Sequence, residues 1–423
     1  MTGARSRFRR TALVGAGTLL ALGFAGCGGQ GGGGEAGGSE SGGVTTLTWQ
    51  MWTGSEIETE ALNHLSELVT QKHPDIKLTL QTSTFPDYWT KLAAQASGGD
   101  VGCILGVQGP RAPSITQLLL PLDDARLKSV GVDMSEFNES ITKALQANGQ
   151  QIAIPYDFGP LVVFYNADAF EKAGVPVPDV DWTQADFDSA ASKLKDSGIN
   201  GYSYFPTVDS LNAWALTRTG KQAISADGKP QLDTPEMIST FEYLQGLVKS
   251  GVTPKLPATN DAGVALDAYM AGDSAMVVDG PWQYGNIVKN AKFKPGVAPM
   301  PAGPNGTRTH VAGSGYGVSA TCPQPDKALQ AIATITGPEG LQYLGEVGRA
   351  YPARTAQSDS WYQGELATAK PALEAAIKSS EPFHASANLS QTQQLFQQYG
   401  IPALNGDQSA AEFLKLVQQQ SGG

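Results

Sequence analysis

The sequence predicts an α/β protein with mostly parallel sheets. Two observations carry this. Strand-like and helix-like segments alternate from residue 44 through residue 347, and residues 101–107 (VGCILGV) form the unbroken apolar run expected of a strand buried on both faces. No repeat of 20–50 residues is visible.

The elements follow in order. Residues 44–51 (VTTLTWQM) alternate and are rich in β-branched side chains, so they read as a strand. Ser55 opens a helix: Ser55-x-x-Glu58 is a capping box, and Ile57, Ala61, Leu65, Leu68 and Val69 share one face at helical spacing. Ile76, Leu78 and Leu80 alternate as a second strand. Residues 88–96 read as a helix that stops at Gly98-Gly99. Strand signals recur at 151–155 and 161–166. Helix signals recur at 183–196, at 235–249 with Thr234 as cap and Pro235 in the first turn, at 262–271 with Gly272 behind, and at 338–347.

At 423 residues the chain is long enough for two or three domains. Lys and Arg number 29 against 40 Asp and Glu, a formal charge of −11, which opposes nucleic-acid binding. The three cysteines (Cys27, Cys103, Cys322) form no CxxC, and His64, His73, His310 and His384 form no HExxH. No metal and no cofactor is expected. There is no phosphate-cradling GxxxxGK[ST] and no GxSxG nucleophile elbow, and no carboxylate spacing singles out an acid/base pair.

The N-terminus reads as an export signal. Four arginines (Arg5, Arg7, Arg9, Arg10) precede an apolar stretch at 11–26, too short for a spanning helix of about 20 residues. Phe24-Ala25-Gly26-Cys27 resembles a bacterial lipobox, in which the cysteine thiol takes a diacylglycerol and becomes the mature N-terminus. The expectation is a signal peptide over 1–26, then a lipidated Cys27 and Gly-rich tether over 27–43. The tether spans about 20–24 Å r.m.s.. An ordinary signal with an incidental cysteine is the alternative, and Sec and twin-arginine export both stay open. No later run reaches 18 apolar residues, so the body would be held to the outer face of the cytoplasmic membrane by lipid alone.

Aromatic residues beside polar ones stand out near strand ends and Gly/Pro turns, where ligands bind in open α/β sheets. They are Trp49, Trp52, Tyr88, Trp89, Trp214, Trp282, Tyr316 and Tyr351. A flat aromatic face with amide and carboxylate neighbours suits a sugar ring, although core packing explains any single one of them.

Residues 152–174 (IAIPYDFGPLVVFYNADAFEKAG) carry a more specific signal: an apolar strand, Pro155, a polar turn, a strand ending in Tyr165-Asn166, and a short helix ending in Ala173-Gly174. Three further segments follow in order: AYMAGDSAMVVDGPWQYGNI at 268–287, GVAPMPAGPNG with GSGYGVSA, and ITGPEGLQYLGEVGRAYPART. Together they resemble the family 1 extracellular solute-binding proteins, the maltose-binding-protein-like, carbohydrate-binding lipoproteins and periplasmic proteins of ABC importers. The resemblance covers about residues 44–400 and departs from the family at 99–101, where Pro-Asp is usual.

The resemblance implies a two-lobe, type II periplasmic-binding-protein fold that closes on its ligand like a flytrap. The chain would cross between lobes near 157–162, 309–315 and 351–355. Lobe 1 would take 44–157 plus 313–352, and lobe 2 would take 158–312 plus 353–423. The implied partners are a carbohydrate and ABC permease subunits whose ATPase is a separate chain; the protein itself would be a monomer and not an enzyme. A secreted carbohydrate-active enzyme and a surface sugar sensor or adhesin are the rival readings. Cys103 and Cys322 would share lobe 1, where an oxidising compartment permits a disulfide and two buried free thiols are the alternative.

The implied ligand-binding residues begin with Trp282, which matches the Gly-Pro-Trp aromatic that stacks on sugar. Asp157 lies in the polar turn between hinge segments. Trp52 and Glu56 follow the first strand, Tyr88 follows a Pro-Asp turn, and Gln108 and Arg111 follow the buried strand. Asp209, Asn212 and Trp214 match a ligand-facing turn. Ser314 and Tyr316 lie on a returning crossover, and Arg354 is a hinge-side donor fork or an inter-segment salt bridge.

Overall fold

The computed structural model describes residues 39–41, 43–259 and 261–422. Cys27, the signal peptide and nearly all of the tether lie outside the described residues. Among the described residues the strands are β1 (Ser39–Ser41), β2 (Val44–Trp52), β3 (Ile76–Ser83), β4 (Ile104–Gln108), β5 (Gln146–Ala147), β6 (Gln150–Gln151), β7 (Ile154–Pro160), β8 (Val162–Asn166), β9 (Met276–Asp279), β10 (Pro295–Pro299), β11 (Thr309–Val318) and β12 (Ser380–Pro382).

Most strands form two sheets. The large one runs β1-β2-β4-β11-β12, with β3 on β2 and β7 on β11; the small one runs β10-β8-β9. The α/β class holds, but the expectation of mostly parallel sheets does not. Parallel pairing is confined to β2–β3, β2–β4 and β11–β12, and the small sheet is wholly antiparallel. The physical reason is the route of the chain. It leaves the large sheet after β7, builds β8, β9 and β10 elsewhere, and returns through β11. That return runs antiparallel to β4 and to β7, so no βαβ crossover is needed there.

Local signals placed most elements well. Ser55 caps helix Glu56–Lys72 by accepting from the Glu58 amide at 3.3 Å. The Glu58 carboxylate accepts from the Gly54 amide, one residue before the position a capping box requires. Thr234 caps helix Pro235–Lys249, and Thr183 caps Gln184–Asp196 with a full capping box. The helix expected at 88–96 starts earlier, as Phe85–Gly98, because Thr84 caps it and Pro86 fits its first turn. The strand expected at 151–155 divides into β6 and β7. Before it, Asn148 and Gly149, both at positive φ, turn the β5–β6 hairpin.

Helix Val208–Thr219 has caps in Thr207, with Ser210, and Gly220 but no amphipathic stripe, and the packing says why. Val208, Leu211, Asn212, Ala213, Trp214, Ala215, Leu216 and Thr217 are all buried, so no polar stripe marks it in the sequence. It packs in a core with Phe187, Tyr202 and Phe241, while Leu47, Trp49, Leu65 and Ile104 fill the core of the large sheet. No helix among the described residues is long and apolar enough to cross a membrane.

Cys103 and Cys322 are disulfide-bonded, with 4.7 Å between their Cα atoms and a sequence separation of 219. A link across so long a segment restricts the unfolded chain strongly. Replacing Cys322 by Ala should lower unfolding stability by about 2–4 kcal/mol in urea titrations. Reductant should shift the wild-type curve the same way and leave the variant's unchanged.

Candidate functional site

The three segments expected to cross between lobes lie side by side at one residue. Asp157 of β7 stands opposite Ser314 of β11, and it also bridges to Pro352. Flanking amides close the junction: Phe158 donates to the Tyr351 carbonyl at 3.2 Å and Ala353 to the Tyr156 carbonyl at 3.0 Å. The Asp157 side chain is 5% exposed. Burial pushes its pKa up to about 6, against the pull of Arg349 and of donors on Ser314 and Tyr156. Its Oδ1 has no hydrogen-bond partner within the protein.

Arg349 is 3% exposed and pairs with Glu58 at 3.3 Å. Burial disfavours its charge, but Glu58 and Asp157 outweigh that and keep it protonated. One buried guanidinium therefore serves two carboxylates from different elements.

Trp282 lies next to this junction. Pro281 sits against Gly159 of β7, and the Trp282 ring lies over Gly280; at both glycines a Cβ would collide with the neighbouring ring. The indole is partly exposed. Asp279, the last residue of β9, accepts from the Gly280 amide at 2.7 Å. Burial pushes its pKa up to about 7. The Gly280 amide resists this as a donor, while Asp209 and Glu58 add to it.

A second group of residues lies past the ends of β2 and β4. Arg111 is 1% exposed, sits over the rings of Phe85 and Trp89 at 5.0 and 5.2 Å, and donates to the Gln108 side chain. Burial disfavours its charge, and Asp209, in the first turn of helix Val208–Thr219, favours it. Trp52 packs edge-on to Phe85 and Tyr88. Glu56 pairs with Lys289 of helix Tyr284–Asn290 at 3.0 Å.

The geometry thus links Asp157, Asp209, Trp282, Ser314, Gln108, Arg111 and Trp52 through shared neighbours. Five other expected residues have different roles. Tyr88 is buried and donates to the Gly106 carbonyl at 2.9 Å. Tyr316 is buried against Trp49 and stacks on Tyr156 with 4.7 Å between ring centroids. Asn212 is fully buried between His310 and the Ala223 amide. Trp214 is fully buried and donates to the Tyr202 hydroxyl at 2.9 Å. Arg354 pairs with Glu136 at 2.7 Å, donates to the Thr336 carbonyl and lies over Phe137, so it is an inter-segment salt bridge.

Glu58, Asp279 and Arg349 were not anticipated. Asp279 and Arg349 stand one and two residues from matched motif positions (Gly280-Pro281-Trp282 and Tyr351), and that proximity was the available signal. Among the described residues no grouping of His, Cys, Asp and Glu suits a metal ion. A recess lined by Gln50, Gln81, Thr82, Ser83, Lys91 and Gln95 also takes in Tyr88, which packs edge-on to Trp52.

The family model for bacterial extracellular solute-binding protein matches residues 66–375. The chain belongs to this family. Its match to binding proteins of Brucella abortus is 25% identical over 178 residues, covering 41% of this chain and 43% of theirs, so it spans less than half the length of those relatives. A maltooligosaccharide ABC transporter solute-binding lipoprotein of Streptococcus pneumoniae is 26% identical over 330 residues, 74% of each chain. An ABC substrate-binding protein of Listeria monocytogenes, solved in complex with cycloalternan, superposes with a TM-score of 0.81 at 23% identity, over 89% of this chain and 98% of that one. This likeness establishes the two-lobe periplasmic-binding-protein fold.

Asp157 yields a pH test. Its folded pKa is raised, so the native state keeps a proton that the unfolded state loses; the stability this contributes is full at low pH and is lost as pH rises through about 6. Between pH 5 and pH 8 the wild type should therefore lose about 1 kcal/mol more stability than Asp157→Asn in urea unfolding. Parallel profiles would refute the assignment.

Proposed function

We propose that this protein captures a sugar or oligosaccharide outside the cytoplasm and delivers it to an ABC-type importer by lobe closure. The observation that carries this is Trp282, a partly exposed indole that lies over Gly280, while its neighbour Pro281 packs on Gly159, two residues past Asp157, and Asp279, three residues before it, is a buried carboxyl in the field of Asp209. An aromatic face takes the apolar face of a sugar ring, and carboxylates take its hydroxyls. Family membership and the maltooligosaccharide-binding relative support the same ligand class.

In this reading Trp52, Glu56, Gln108, Arg111, Asp157, Asp209, Trp282 and Ser314 line the cleft, and Asp279 joins them. Tyr88, Asn212, Trp214, Tyr316 and Arg354 support it from the core. The lobes divide at the crossovers, 44–157 plus 313–352 against 158–312 plus 353–423. A ligand touching both lobes favours the closed form by its difference in affinity for the two states. The closed form, a monomer, then docks on permease subunits served by a separate ATPase. Cys27 carries the lipid that holds the protein at the membrane; the lipoprotein name of the pneumococcal relative supports this. The family's binding role favours this reading over a secreted enzyme.

A thermal-shift screen over mono- and oligosaccharides should find a stabilising ligand, worth about 2.7 kcal/mol at a hundredfold excess over Kd. Trp282→Ala should then weaken calorimetric affinity at least tenfold, and an unchanged Kd would remove the stacking role. Cys27→Ala should move the protein from the detergent phase to the aqueous phase in Triton X-114 partitioning.

A further inference from the structure

We propose that Gly285 is a positioning residue for closure: because it has no side chain, helix Tyr284–Asn290 can seat on the turn at Gly348, and the depth of this seat sets how far the two lobes close. The inference rests on the lobe boundaries proposed above, which put residues 285 and 289 in lobe 2 and residues 56 and 348 in lobe 1. The contact is backbone on backbone. A Cβ at Gly285 would lie 2.7 Å from the Gly348 carbonyl oxygen and 3.2 Å from its Cα, and a Cβ at Gly348 would lie 3.1 Å from the Gly285 Cα. Gly348 is at φ 68°, a conformation that favours glycine in any case. Gly285 lies inside a helix, where alanine is the better residue, so only the approach to Gly348 calls for a glycine there.

The two sides of this helix belong to different lobes. Tyr284 and Ile287 are buried, and the Tyr284 ring stacks on Phe164 of β8 at 5.6 Å and on Trp361 at 5.7 Å, which fixes the helix to lobe 2. Gly285 and Lys289 stand four residues apart and share another face. Lys289 on that face pairs with Glu56 at 3.0 Å. Gly348 precedes Arg349, which pairs with Glu58, so the seat and the ion pair reach the first turn of helix Glu56–Lys72 by two routes. An exposed ion pair adds little by itself; the steric limit at Gly285 is the stronger of the two contacts, and Lys289 aligns it. Trp282 lies three residues before Gly285, so the depth of the seat also fixes the distance of the indole from the lobe 1 side of the cleft.

The first test uses the full chain and needs no ligand. Glu60→Cys and Lys289→Cys place exposed thiols on helix Glu56–Lys72, one turn beyond Glu56, and on the lobe 2 helix. A short bismaleimide captures the closed form irreversibly, even where that form is a minor population. The link between positions 60 and 289, read by peptide mass, should form about fivefold more slowly once Gly285→Leu is added. An equal rate in the two backgrounds overturns the proposal.

Calorimetry with maltotriose gives the second readout, with Gly285→Ala as the variant that protects the fold. Alanine strengthens the helix, so the ligand-free urea midpoint should equal or exceed that of the wild type. Maltotriose affinity should nevertheless fall about tenfold, because the added methyl opposes the closed form alone. Lys289→Glu should weaken affinity about threefold at low salt, and the loss should shrink in about 0.5 M NaCl. A fall in ligand-free stability with unchanged affinity makes Gly285 a packing residue only and overturns the proposal. If neither maltotriose nor any sugar of the thermal-shift screen binds, the sugar reading fails, and the cross-linking rate still decides whether Gly285 forms the seat.

Discussion

Everything near the site depends on how three separate stretches of chain are fastened together at Asp157. Two of them, β7 and β11, are strands of the large sheet; the third, around Pro352, is irregular. The backbone of β7 is hydrogen-bonded to both of the others, so neither can slide along it without breaking bonds. A carboxylate buried at such a point is costly unless it is compensated. Arg349 compensates it and simultaneously holds Glu58, which ties helix Glu56–Lys72 to the same place. Rigidity at the junction and charge at the site therefore have one source.

The electrostatics around Asp157 and Asp279 are divided in a useful way. Each guanidinium there is buried and already engaged: Arg349 with Glu58, and Arg111 with Phe85, Trp89 and Gln108. The carboxyls of Asp157 and Asp279 are left with raised pKa values, so each changes between proton donor and pure acceptor near neutral pH. A ligand made of hydroxyl groups offers both donors and acceptors, and suits such groups better than a phosphate would. The aromatic surfaces fall into two kinds. Trp214 and Tyr316 are locked into cores, while Trp282 keeps part of its ring free.

What the sequence made legible follows from how local each signal is. Caps, prolines and amphipathic stripes act over a few residues, and they located helices such as Pro235–Lys249 closely. Trp282 was marked by its Gly-Pro-Trp context. Strand direction depends on where the chain goes between strands, which no local pattern records; the parallel expectation failed for that reason. Burial on nearly all sides erases the periodicity of helix Val208–Thr219, so that only its caps, Thr207 with Ser210 and Gly220, mark it in the sequence, and the turn expected at Asn212 and Trp214 is a helix. Arg349 and Asp279 gain their importance from partners far away in sequence, so their local context gave only a hint.

The place of β11 in the large sheet has a consequence for how the molecule is made. This strand stands between β4 and β7, yet it comes after the whole small sheet in the chain. A nascent chain emerging N-terminus first presents β2, β3 and β4 long before their neighbour exists. The first part synthesised is thus among the last to be completed. Until residue 318 has emerged, the edge of β4 that β11 will cover is open to any other strand that meets it. Truncation anywhere before β11 should leave an aggregation-prone fragment instead of a smaller folded protein, because β4 and β11 are neighbours in one sheet but far apart along the chain.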